Sequence, residues 1–149
     1  MKKVVMAFGA FDGIHLGHIY YLKHAKKLGT YLIVSIARDS LDKIYSGYSL
    51  GENERLKLVE YLGIADKVIL GSKTDVLKRI KQFKPDVVAV TGYHPVDVAV
   101  LRSDLEQNKI NAKVAIIKKY KPKTYNRYFG MNAQKLRVIK QMGLVPRKN

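Results

Sequence analysis

Val4-Val5-Met6-Ala7-Phe8, followed by Gly9-Ala10-Phe11-Asp12-Gly13-Ile14-His15-Leu16-Gly17-His18, is the stretch on which the fold turns. A short continuous apolar run before a glycine turn suits a strand in the middle of a parallel sheet. Beyond it the pattern is helical from about Gly17 to Leu28, with Ile19, Leu22, Ala25 and Leu28 as the inner stripe and Gly29 as the stop. The residues between form a strand-to-helix turn. Gly9, Gly13 and Gly17 let the backbone turn sharply and approach a ligand closely. His18 falls where the helix begins, where unpaired N–H groups and the helix dipole favour an anion, and two imidazoles add directional donors. The turn reads as a phosphate-holding loop.

The same alternation continues outward. Tyr31 to Ala37 is a second strand, and Arg38 to Tyr48 a long connection whose Arg38 and Lys43 either reach phosphate or stand as surface cations. Ser49-Leu50-Gly51-Glu52 has the form of a capping box, opening a helix to about Leu62 that packs through Leu56, Val59 and Tyr61-Leu62. Lys67 to Leu70 is a third strand. Thr74-Asp75 caps a short helix, Val76 to Phe83, with Leu77, Ile80 and Phe83 facing in. Asp86 to Thr91 is a fourth strand, Gly92-Tyr93-His94-Pro95 the turn at its end, Val96 to Gln107 a helix and Lys113 to Lys118 a fifth strand. Five such alternations predict an α/β fold, a doubly wound five-stranded parallel sheet with helices on both faces. In such sheets ligands bind beyond the carboxyl ends of the strands, where the strand order reverses.

The 149 residues suit one domain, 1–149, ending in a basic loop and helix from about 119. Without cysteine there is neither a disulfide framework nor a thiolate metal site. The apolar run after Met1-Lys2-Lys3 is too short for a signal core or a membrane span, so the expectation is a cytoplasmic protein with no membrane partner. Charge is uneven: of a net +16, residues 107–149 contribute 12 Lys+Arg and no acid. Such a field attracts polyanions, nucleotide polyphosphates first and nucleic acid as the less favoured partner. From Lys118 to Gly130, through Arg127, cations alternate with aromatics that can stack on a base or cover the core. Asn132 to Met142 reads as a final helix. No carboxylate dyad or nucleophile–base pair is visible, His24 reads as a surface histidine, and His15 and His18 lack a third ligand, so no protein-held metal is expected.

His15-Leu16-Gly17-His18 resembles the HxGH signature of the nucleotidylyltransferase superfamily, and the fit extends through Tyr21-Leu22, Ala25 to Gly29, Ala37-Arg38-Asp39-Ser40, Glu52 to Arg55 and Ala65 to Gly71. Within that cytidylyltransferase-like group the chain is most similar to archaeal-type FAD synthases. The resemblance implies a Rossmann-like sheet of order 3-2-1-4-5, with Gly9 to His18 opposite Gly92 to Pro95 and residues 119–131 able to fold over both. It implies joining a nucleoside monophosphate from ATP or CTP to a small phosphorylated acceptor, with Mg²⁺ carried mainly by the triphosphate. His15 and His18 would then be the catalytic donors. Gly9, Ala10, Phe11, Leu16, Gly17, Arg38, Lys43, Arg55, Gly92, His94 and Arg127 would bind nucleotide, Asp12 shaping the loop through an Asx turn. Adenylyl transfer to FMN leads; a glycerol-phosphate-type cytidylyltransferase and a nucleotide- or nucleic-acid-binding protein without turnover are the alternatives. Relatives often carry a polar pair where His94-Pro95 stands and a Ser/Thr-rich run where Gly130-Met131-Asn132-Ala133 stands. They are usually homodimers, though no interface is legible in the sequence.

Overall fold

The structure, a computed structural model, describes residues 1–39, 50–91 and 98–120. The chain divides into Met1–Lys119 and Tyr120–Asn149, and the architecture below is that of the first unit. Its elements alternate: β1 (Val4–Gly9), α1 (Leu16–Lys27), β2 (Tyr31–Ile36), α2 (Glu52–Tyr61), β3 (Lys67–Leu70), α3 (Val76–Phe83), β4 (Val87–Thr91), α4 (Val98–Gln107) and β5 (Lys113–Ile117). All strands pair in parallel in the order β3-β2-β1-β4-β5, as the family resemblance implied.

Side chains of successive strand residues point to opposite faces, and both faces of the central strands are covered. Val5 and Ala7 of β1, with Leu32, Val34 and Ile36 of β2, pack against Tyr21, Leu22 and Ala25 of α1 and Val59 of α2. On the other face Met6, Ile33, Val88 and Val90 meet Ile80 of α3 and Leu101 and Leu105 of α4. Burial on two sides is why these strands read as unbroken apolar runs.

Carboxylates pin the strand starts. Asp86 Oδ2 accepts from the Val4 N–H at 2.8 Å, and Asp66 Oδ2 accepts from Leu32 N–H at 2.7 Å while pairing with Lys26. Gly29 ends α1 where the chain passes Lys3: a Cβ there would stand 2.5 Å from the Lys3 carbonyl oxygen.

Three sequence expectations shift. The buried residues of α1 are Gly17, Tyr21, Leu22 and Ala25, whereas Ile19 and Leu28 are half-buried; the helix begins at Leu16, and the Tyr21 hydroxyl finds partners inside. The N-cap of α2 is Gly51, which has no side chain to give. Its place is taken from across the sheet end, where Asp39 Oδ2 accepts from Glu52 N–H at 3.1 Å. Asp75 does cap α3 as expected, accepting from Lys78 N–H at 2.8 Å. Ser49, Val96 and the final helix lie outside the described residues. Among the described residues no helix is long and apolar enough to cross a membrane.

Candidate active site

β1 and β4 pair only from Val5–Val87 to Ala7–Ala89, although β1 continues to Gly9 and β4 to Thr91. Past Ala7 the two strands part, and this is where the strand order reverses. The Tyr21 hydroxyl occupies the opening: it accepts from Phe8 N–H at 3.3 Å and donates to the Ala89 carbonyl at 2.7 Å. Burial raises its pKa far above that of a free phenol, so it remains a donor. Tyr21→Phe is expected to leave both backbone groups unpaired and to lower unfolding free energy by about 1–3 kcal/mol, read from urea unfolding.

The glycine loop leaves this opening. Phe11 has φ 55° and is 2% exposed, its ring folded back onto Gly9. A Cβ on Gly9 would lie 2.7 Å from that ring, so residue 9 has to be glycine for the ring to sit there. The loop is tied to the start of α2 at two points. Ala10 O accepts from Arg55 Nη1 at 2.8 Å, and Asp12 reaches out of the loop to accept from Leu50 N–H at 3.0 Å.

His15 is the N-cap of α1, with extended φ −134° and ψ 174°. Its Nδ1 accepts from Gly17 N–H at 3.1 Å, and His18 Nδ1 accepts from His15 N–H at 3.2 Å. This is a capping box built from two imidazoles in the places usually held by Ser/Thr and Glu/Gln. A ring whose Nδ1 accepts, and which is neutral, carries its proton on Nε2. Both histidines are therefore Nε2–H donors. Their rings stack with centroids 3.8 Å apart, and Phe11 tilts against His18 at 5.3 Å. Burial, and then the neighbouring His15, bring the His18 pKa down to about 4, and burial lowers that of His15. At neutral pH the pair offers donors without net charge. Leu16, between them, is 60% exposed, and Gly17 is buried.

The lowered His18 value fixes a pH dependence. Between 6.5, the ordinary imidazole value, and about 4, the unfolded chain binds a proton that the folded chain does not. Stability is thus full above pH 6.5 and falls as pH drops toward 4, by about 3 kcal/mol from this group. Asp39 and Asp66 are both held below their ordinary 3.8, Asp39 first by the Glu52 N–H and then by Arg55, Asp66 first by Lys26. Their loss comes at still lower pH. Urea midpoints measured from pH 7 to pH 4 are expected to fall steadily, and His18→Gln is expected to flatten the slope.

The two described site cations, Arg38 and Arg55, have acidic partners within the protein. Arg55 is fully buried: besides Ala10 O, its Nε donates to Leu50 O at 3.1 Å and its Nη2 to Asp39 Oδ1 at 2.6 Å. It fastens together the glycine loop, the end of β2 and the start of α2. Arg38 Nε lies 2.8 Å from Glu52 Oε2, but its N–H is not aligned as a hydrogen bond, which leaves a buried donor without a hydrogen-bonded partner. Asp39 N–H donates back to Glu52 Oε2 at 3.3 Å. Asp39, Leu50, Glu52 and Tyr21 thus support the site; the sequence marks them as part of a matching stretch or a helix cap but gives none of them a role at the site. Lys43, Gly92, His94 and Arg127 lie outside the described residues.

Neither histidine offers a lone pair to a metal, since Nδ1 accepts a backbone N–H and Nε2 is protonated. Among the described residues no group of three His, Cys, Asp or Glu stands together to hold an ion. A cation carried by its substrate would need no such group.

The family model described as cytidylyltransferase-like matches residues 6–139, from β1 through both histidines and beyond β5. The chain belongs to the cytidylyltransferase-like family. Within it the protein is similar to the FAD synthase of Thermoplasma acidophilum, 42% identical over 78% of this chain and 82% of that one. The FAD synthase of Ferroglobus placidus is 42% identical over 79% of this chain and 77% of its own. Among solved structures, the lipopolysaccharide core biosynthesis protein from Thermoplasma volcanium superposes with a TM-score of 0.77 at 40% identity, covering 80% of this chain and 99% of that one. A cytidylyltransferase-like chain thus carries its paired histidines at the crevice where β1 and β4 part.

Proposed function

We propose that the protein is a nucleotidylyltransferase that transfers the adenylyl group of ATP to FMN, forming FAD and pyrophosphate. The observation that carries this reading is the pair of imidazoles, His15 and His18, whose Nδ1 atoms accept backbone N–H groups at the first turn of α1, in a chain 42% identical to an FAD synthase over 78% of its length. In the reaction an FMN phosphate oxygen attacks the α-phosphorus of ATP. The bond from that phosphorus to the oxygen bridging it to the β-phosphorus breaks, and pyrophosphate leaves with the bond electrons. The attacking phosphate is already anionic, so no general base is needed, and catalysis reduces to orienting two anions and stabilising charge as it moves to the leaving group.

His15 and His18 supply that stabilisation through Nε2–H. Gly9, Ala10, Phe11, Leu16 and Gly17 bring main chain to the phosphates, Gly17 at the closest approach. Arg38 exchanges Glu52 for a phosphate oxygen, since its buried Nε has an ion-pair partner but no aligned hydrogen bond. Arg55 acts through the loop it fastens. Lys43, Gly92 and His94 are assigned further nucleotide contacts, as the family resemblance implies, and Mg²⁺ brought by the triphosphate would supply charge neutralisation.

The test is pyrophosphate release in the presence of Mg²⁺, crossing ATP and CTP against FMN, glycerol 3-phosphate and pantetheine phosphate. Release is expected with ATP and FMN. Release with CTP and glycerol 3-phosphate alone would assign the site to the cytidylyltransferase alternative, and nucleotide binding without release in any pairing would overturn transfer altogether.

A further inference from the structure

Phe11 is a bulky residue in the left-handed region, at φ 55°. A conformation of this kind is strained for a residue with a bulky side chain and persists only where its surroundings over-determine it. A glycine would adopt it without strain, so the side chain is what the strain retains.

The surroundings that hold it are specific. On one side of Phe11 the Ala10 carbonyl is fixed by Arg55 Nη1 at 2.8 Å; on the other the Asp12 carboxylate is fixed by Leu50 N–H at 3.0 Å. Both ties come from the start of α2. Between them the backbone turns the ring inward to 2% exposure, into space that exists because residue 9 has no Cβ: one there would meet three ring atoms at 2.7, 2.9 and 3.2 Å. The ring then stands beside His18, with centroids 5.3 Å apart and planes inclined at 52°. His15 stacks on the His18 ring at 3.8 Å, and the Nδ1 bond from His15 N–H sets its rotation. Without Phe11, that ring keeps one hydrogen bond and one stacked neighbour. It can then turn about χ2, which brings Cδ2–H to the place of Nδ1, breaks the bond from His15 N–H and leaves the proton free to sit on either ring nitrogen.

We propose that the Phe11 side chain is a positioning residue for His18: α2, through Arg55 and Leu50, holds Phe11 in its strained turn, and the ring in turn holds the His18 imidazole with Nε2–H as the donor. The proposal rests on the transfer reading for its catalytic consequence, but not for its structural one.

Two variants approach the ring from opposite sides. Phe11→Leu keeps an apolar side chain and removes the flat face; Gly9→Ala keeps Phe11 and displaces its ring. With the full chain labelled with ¹⁵N at histidine, the wild-type His18 signals are expected to be those of the Nε2–H tautomer. In both variants they are expected to become those of a tautomer mixture, with His24 unchanged as an internal reference. In ATP–FMN turnover, kcat is expected to fall by about ten- to a hundredfold, with KM for ATP changed by less than about threefold. If Phe11→Leu does not fold, Gly9→Ala, which retains every core side chain, carries the test. A variant that loses stability while the His18 signals and kcat stay at wild-type values would overturn the proposal and leave Phe11 as packing alone. The tautomer measurement needs no substrate, so it stands or falls separately from adenylyl transfer to FMN.

Discussion

Replacing His18 by alanine is expected to lower pyrophosphate release by about a hundred- to a thousandfold, the loss that follows removal of one preorganised donor to developing charge. The fall belongs in kcat more than in KM, because the donor acts on charge that moves only as the leaving group departs. The same substitution also removes the bond from His15 N–H to His18 Nδ1, at about 1 kcal/mol. Activity and capping can be separated at the partner residue. In His15→Asn the side-chain oxygen still accepts from Gly17 N–H, as asparagine does at helix N-caps, but the Nε2–H donor is gone. This variant is expected to melt close to wild type while losing turnover on the scale of His18→Ala. His15→Asn with full turnover would show that His15 serves α1 alone.

The second large effect is expected from Arg55→Met. The substitution keeps much of the buried volume but leaves the Ala10 and Leu50 carbonyls without their donor. Asp39 rehydrates readily, because its side chain is 49% exposed, so the cost comes mainly from the two carbonyls and the loosened loop, about 3 kcal/mol in all. For a chain of this size that lowers Tm by about 10 °C. Arg55→Lys is not expected to rescue it, since one ammonium cannot reach three acceptors from a planar fork. Turnover is expected to fall as well, through disorder at Ala10 and Phe11. Unchanged stability together with a raised KM for ATP would contradict this and place Arg55 on the nucleotide.

How far the sequence revealed this molecule depended on the distance between interacting residues. The strands and most helices were legible because each is specified locally, by unbroken apolar runs such as Val87 to Thr91 and by stops such as Gly29. The strand order came from resemblance to a known family, since nothing in an apolar run says which neighbour it will choose. The paired histidines were legible because their mutual bonds span two and three residues. Tyr21 was not: its partner carbonyl at Ala89 is 68 positions away, and helical periodicity marks residue 21 only as a neighbour of the stripe. For Arg55 the sequence shows a cation near a phosphate loop, but its acceptors at Asp39 and Ala10 lie 16 and 45 positions away, beyond the reach of local reading. The same holds for the start of α2. Ser49 to Glu52 looked like a self-contained cap, but the carboxylate that serves Glu52 N–H comes from the end of β2.

The most direct measurement is the formation of FAD from FMN and ATP with Mg²⁺, separated by chromatography and matched against pyrophosphate released. One pyrophosphate per FAD, with neither product formed by His18→Ala above background, is the expected result. ATP bound but no FAD formed, or product formed only from CTP and an alcohol phosphate, would contradict adenylyl transfer to FMN as the activity of this site.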